Sequence, residues 1–363
     1  MLKTHLILVI SSLILAGCAP VVEERDDPSA VDLVFPPPPE PARFFYERTL
    51  TGSADVEDID RETRWRRILT GETGTSTGLS KPFDVEVCEG RVYVSDTVSR
   101  LVTVFDVPHS RYYQIGATEP GGLTKPLGLA TDADCNLYVA DGTAQKIVVF
   151  DQEGQYLREI GSKDMFDRLT HVEVDPSGER VFAVDTGGVG SQRHQIRVLN
   201  GESGEHMYYI ARRGQEEGEL NLPRDIALNV DGNLYVVDGG NFRVQVFTTY
   251  GEYVTQIGGI GVRTGQFSRP KGIDTDSAGN VYVSDAAFGN FQIFDTSGQL
   301  LLFVGDRSEN PAPAKFMLPA GLAIDEDDRV YLVDQFFRKI DVFRPAALKP
   351  SEGYFGSRIV NTP

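Results

Sequence analysis

The stretch LPRDIALNVDGNLYVVD at residues 222–238, followed by VQVF at 244–247, decides the fold. A proline opens it, and DGN at 231–233 breaks it where a turn needs positive φ. The flanking runs are β-branched and short, as strands are. The same order returns as PKGI at 270–273, GNVYVSD at 279–285 and QIF at 292–294, and again from Leu318 with YLVD at 331–334 and DVF at 341–343. Upstream copies span 82–116 and 126–161, and a degenerate one starts near Leu169 and carries VFAVD at 181–185. Six aspartates occupy one repeat position: Asp96, Asp141, Asp185, Asp238, Asp285 and Asp334. An aspartate at one location in every copy is what a fold needs, not what one site needs. Each copy reads as four strands, too few to bury both faces alone; packed radially, each covers its neighbours. The expected fold is therefore all-β, a six-bladed β-propeller with one short N-terminal helix.

These residues resemble the NHL repeat, and the resemblance covers roughly 81–343. No Trp-Asp signature is present, so a WD-type ring fits poorly. The whole chain also resembles a group of bacterial lipoproteins that carry a six-bladed propeller behind a proline-rich segment.

A ring must be closed to remove its free edges. The last copy stops at Phe343, after its third strand, and RFFYERTL at 43–50 has the pattern of the missing fourth. Trp65 to Leu69 is the alternative closing strand. The short helix is expected over Val56 to Leu69, with Ile59, Trp65, Ile68 and Leu69 on one side and arginines mostly on the other. The chain then divides into a signal peptide at 1–17, an acidic, proline-rich tether at 18–42, the propeller at 43–344 and a tail at 345–363. The run FPPPPEP at 35–41 is expected to act as a stiff polyproline spacer.

Lys3, the apolar run from Leu6 to Leu15 and the LAGC at 15–18 read as a lipoprotein signal with Cys18 as the lipidation site. Acyl chains on Cys18 imply a lipid-anchored protein of the bacterial envelope. Ala19, rather than an aspartate, favours the outer over the inner membrane. A net charge of -18 repels phosphate backbones and excludes a nucleic-acid partner; it suits a monomeric propeller. Cys88 and Cys135 lie near the first turns of blades one and two, and because blades diverge outward two free thiols are expected.

The residues one and two places after each repeat proline meet at the axis. Asp84, His171, Arg224, Asp225 and Lys271 form a polar cluster at this channel mouth. In the NHL-like amidating lyases, zinc sits on three histidines directly after the repeat proline. Here Phe83, Leu127, Thr170, Arg224, Lys271 and Ala320 hold those places, so the resemblance carries over no metal set, and no cofactor or catalytic residue is assigned.

The loops from strand two to strand three emerge on the same, upper, face. Those of blades four to six carry Asn241, Phe242, Arg243, Phe288, Phe291, Phe336, Phe337 and Arg338, with Lys339 adjoining. Aromatic residues edged by basic ones have the make-up of a protein-binding surface. Blade three has a longer, glycine-rich loop at 186–194. The expected function is thus a non-catalytic scaffold that binds an envelope protein or peptide. The alternatives are a metal-dependent lyase- or lactonase-like enzyme on the same fold, and an accessory or assembly lipoprotein of an envelope redox complex.

Overall fold

A computed structural model describes residues 33–57 and 77–356. Cys18, the signal peptide, Trp65 and the arginines at 61–67 lie outside the described residues, as does most of the expected N-terminal helix. The chain is a six-bladed β-propeller. The inner strands are Pro82–Cys88, Pro126–Thr131, Leu169–Val174, Pro223–Leu228, Pro270–Thr275 and Pro319–Ile324. Each contacts the next around the axis, and the last contacts the first. Three further antiparallel strands complete every blade.

Burial explains the sequence pattern. The second strands, such as Val281–Asp285 and Val330–Asp334, are buried throughout because a neighbouring blade covers each face. They therefore read as continuous rather than alternating runs. Fourth strands such as Tyr156–Ile160 and Leu300–Val304 alternate, with one side open. The core falls into six clusters, one at each interface between blades.

Blade six is closed by the N-terminal segment. Phe44–Leu50 pairs antiparallel with Lys339–Pro345, from Phe44 opposite Pro345 to Leu50 opposite Ile340. Phe44 packs edge-on against Tyr282, and Leu50 is fully buried. The proline run does not behave as a free spacer. Val34–Phe35 pairs with Phe44–Phe45 as a fifth strand, and the prolines between them make the turn. Phe35 stacks edge-on against Phe343, which supplies the apolar contact that draws the end of the expected tether into the sheet. Among the described residues the one α-helical turn, Gly353–Gly356, lies near the C-terminal end and buries Phe355 against Tyr331.

Cys88 and Cys135 are joined by a disulfide, against the expectation of free thiols. Cys88 ends an inner strand and Cys135 sits in the adjoining lower turn of blade two, close to the axis where blades have not yet diverged. Their Cα atoms are 5.8 Å apart, within bridging range.

Candidate functional site at the axial mouth

The repeat aspartates build the upper rim. Each lies buried at the end of strand two and accepts backbone N–H groups from the segment that leads into the inner strand. Asp96 takes those of Ser80 (2.6 Å) and Lys81 (2.8 Å), Asp141 those of Thr124 and Lys125, Asp185 those of Asp167 and Arg168, and Asp285 those of Ser268 and Arg269. Their carboxylates are occupied by the fold. The same bonds fix the residue just before the inner strand at the mouth, and in four blades that residue is a cation: Lys81, Lys125 and Arg269 before a proline, and Arg168 before Leu169.

Two places after the proline, large and small residues share the axis. Gly128 and Gly321 leave the room that His171 and Asp84 occupy, and Gly272 lets the blade-six backbone at Ala320 and Leu322 come close. A Cβ on Gly321 would overlap the Asp84 carboxylate, and one on Gly128 would overlap the His171 ring. His171 lies across the channel between blades one and four. Its Nε2 is 2.7 Å from Asp84 Oδ2 and its Nδ1 2.7 Å from Asp225 Oδ1, and all three residues are buried. Burial alone would push the imidazole pKa down. The two carboxylates outweigh it and hold the value well above the ordinary one. The aspartates also tie the ring together: Asp84 Oδ2 accepts the Leu129 N–H of blade two, and Asp225 Oδ2 that of Ile273 of blade five, each at 2.8 Å.

Deeper in the channel stand Glu86, Glu173 and Asp274. Burial raises Glu173 to about 7, with its backbone bonds to Val174 and Leu228 pulling the other way and Asp225 pushing further up. Burial, reinforced by the acids facing one another, lifts Glu86 and Asp274 well above the usual carboxylate range. The channel is therefore polarised, with cations at the upper mouth and carboxylates towards the lower one.

The polar cluster predicted from sequence is assembled in space. Asp84, His171 and Asp225 form the floor of a cavity of about 260 Å³, and Arg224 and Lys271 stand in its wall with Phe83 and Leu127. The rim cations Lys81, Lys125 and Arg168 complete the lining and escaped the sequence reading. Their signal was available, since each directly precedes an inner strand.

The aromatic surface is smaller than the sequence suggests. Phe291 is fully buried between blades five and six, packed at a tilt against Tyr282 and edge-on against Phe343. Arg243 is buried and holds a loop together: it pairs with Asp238 (2.9 Å) and donates to the carbonyls of Gln215 and Glu216. Asn241 donates to Gly214 O and Asp238, and Phe242 packs against the core of blades four and five. Lys339 points inward onto Asp341 at 2.6 Å rather than edging a surface. Buried acceptors thus consume residues that look like a basic rim in sequence. Phe336 remains open at 58 % exposure, edge-to-face with Phe337 at 5.3 Å, beside exposed Arg338. Phe288 is half-buried on the adjoining loop. The long blade-three loop is pinned by buried His194, whose Nδ1 accepts the Leu222 N–H at 3.2 Å while Nε2 bonds Gly188 O at 3.0 Å.

Among the described residues no group of three or more histidine, cysteine or acidic side chains is arranged to hold a metal ion. Both His171 nitrogens face carboxylates already bonded to backbone, so the trio is a clamp across the ring rather than an open ligand set.

The fold defines a six-bladed β-propeller, and one of its blades carries a recognised NHL repeat. The NHL repeat family matches residues 220–247, the stretch that holds the most regular copy. The chain is 25 % identical over 147 residues to protein brain tumor of Drosophila melanogaster, an alignment that covers 39 % of this chain and 13 % of that protein. It therefore spans only a small part of that relative's length. Among solved structures, a Bacteroides thetaiotaomicron protein of unknown function superposes with a TM-score of 0.63 at 16 % identity, covering 82 % of this chain and 75 % of the other. A gluconolactonase from Xanthomonas campestris gives 0.56 at 17 % identity, covering 83 % and 98 %. Virginiamycin B lyase from Staphylococcus aureus gives 0.52 at 14 % identity, covering 73 % and 94 %. At these identities the likeness is one of fold.

Proposed function

We propose that this chain is a lipid-anchored envelope propeller that works by binding a protein or peptide segment on its upper face, with no bond-making step. The observation that carries the reading is the aromatic pair on that face: Phe336 of blade six, 58 % exposed, meets half-buried Phe337 edge-to-face, and exposed Arg338 follows them in the loop. The corresponding loops of blades five and one carry half-buried Phe288 and exposed Val98. Large apolar side chains beside an arginine on rigid loops suit an interface anchor. The enzyme alternative, which the lyase and gluconolactonase folds keep in view, would have to recruit Asp84, His171 and Asp225, and these are spent on one another. The anchor rests on the LAGC motif ending at Cys18.

The test is capture of the full-length protein with its partner cross-linked and identified, then affinity measurement on variants. Phe336→Ala and Arg338→Ala should each weaken binding by about 1–2 kcal/mol without lowering the melting temperature. Lower-face Glu326→Gln should leave binding unchanged. Loss of binding in Glu326→Gln alone would place the interface on the other side of the ring. In the same preparation Cys18→Ser should move the protein from the membrane pellet to the supernatant.

A further inference from the structure

The upper mouth concentrates positive charge in a protein of net charge -18. Lys81, Lys125, Arg168, Arg224, Arg269 and Lys271 gather there from five of the six blades, and among the described residues none of them is paired with a carboxylate. The carboxylates closest to hand are already committed. Asp96, Asp141, Asp185 and Asp285 bind backbone N–H groups, while Asp84 and Asp225 clamp His171. Like charges confined in this way repel. Burial lowers the Arg224 pKa, and the neighbouring Arg168 and Arg269 lower it further. Lys81, Lys125, Arg168 and Arg269 are exposed at the rim, whereas Arg224 and Lys271 are half-buried below them, and half-buried cations without partners cost a fold stability.

We infer that the axial cavity is a binding site for a small organic polyanion, one carrying two or more carboxylates on a short carbon frame. The cations converge from different blades, so they match charges spread over a frame better than charge concentrated on one phosphorus. Arg224 offers a planar fork that suits a carboxylate, and Lys271 a point charge beside it. Phe83, Leu127, Leu169 and Ala320 supply apolar wall that carbon atoms, not water, would cover. Thr170 adds a hydroxyl at the same level. At about 260 Å³ the cavity is just below the usual size for a drug-like ligand, which fits a small acid and excludes a nucleotide. The floor closes the channel beneath the ligand, since His171 bridges it from Asp84 to Asp225. The site is independent of the aromatic anchor on the blade-six loop, so either can fail without the other.

The experiment is calorimetric titration of the full chain with tricarballylate, succinate, inorganic phosphate and the neutral triamide of tricarballylate, at low and high salt. Tricarballylate should bind, weaken with salt and outcompete phosphate, and the triamide should give no heat. Arg224→Gln and Lys271→Gln should each weaken tricarballylate roughly tenfold or more, the loss of a charge-assisted bond. Arg263→Gln, an exposed residue outside the cavity, should bind as the parent does. Because each cavity substitution removes a like charge from a crowded ring, both variants should melt at or above the parent temperature. That second readout separates lost binding from lost folding. Flat titrations with every polycarboxylate, phosphate binding as tightly as tricarballylate, or full affinity in both cavity variants would each overturn the inference.

Discussion

His171→Gln is the sharpest probe of how the ring is held. The imidazole touches Asp84 and Asp225 at 2.7 Å each, and both carboxylates are buried. Taking away the partner of a buried charge leaves that charge uncompensated and costs about 3–5 kcal/mol. Glutamine can still donate to one of the two aspartates, which places the expected loss near about 3 kcal/mol. In a domain this large each kcal/mol moves the midpoint by about 2 °C, so the variant should melt about 6 °C lower at pH 7. The pH dependence has a definite sign. The folded pKa of His171 lies above its unfolded value, so the clamp's contribution is complete below about 6.5 and fades as the pH rises through the folded value. The gap between parent and variant should therefore be widest near pH 6–7 and narrow in alkali. It should narrow in acid as well, where Asp225, its pKa raised by burial against the opposing pull of His171, takes up a proton early. Calorimetric melts from pH 4 to 10 measure this. A gap under about 2 °C at pH 7, equivalent to about 1 kcal/mol, or one that widens in alkali, would refute the charged clamp.

Three further outcomes are expected. Deletion through Leu50 removes the closing strand, and burial of Phe44 and Leu50 alone is worth roughly 1.5–3 kcal/mol each. The midpoint should fall by about 6–12 °C, whereas deletion through Asp32 should leave it unchanged; equal midpoints would contradict closure by Phe44–Leu50. The unreduced protein should show no free thiol at Cys88 or Cys135, and reduction should cost about 2–4 kcal/mol for a loop of this length, read as a lower denaturant midpoint after reduction. Lys271, which faces Arg224 and Arg269 and stands beside Asp225 and His171 in the cavity lining, has its pKa pushed down to about 8 by burial and then by those two arginines. Polycarboxylate affinity should thus drop as the pH passes about 8, and Lys271→Arg should flatten the profile; an unchanged profile in that variant would remove Lys271 from the site.

The ring was legible in sequence because one spacing recurs six times, and repetition makes weak local signals add. Closure by the N-terminal strand was legible because blade six visibly lacks a strand and 43–50 carries the matching pattern. The axial trio was legible for the same reason, since residues two places after a repeat proline must converge. Arg243 and Lys339 were misread because a basic residue on a loop looks alike whether it faces water or a buried carboxylate. Only the fold reveals that Asp238 and Asp341 wait for them. The rim cations were not legible as part of the site because they stand just before the inner strands, outside the two positions of each blade that converge on the axis. The disulfide was not legible because blades diverge only away from the axis, and Cys88 lies at an inner strand's end, where the neighbouring blade is still within bridging range.

Closure by the N-terminal strand has a consequence for biosynthesis. Phe44–Leu50 is made early, but its partner Lys339–Pro345 is made roughly 290 residues later, about 15–60 s at ordinary elongation rates. Through that interval the early strand has no mate, and each finished blade presents an open flank to whatever is nearby. Completion of the polypeptide is thus a condition for closing the circle, so a chain interrupted after blade five cannot settle into a smaller ring. It stays open, with apolar flanks that chaperones and proteases recognise, and the ring acts as its own check that translation ran to the end.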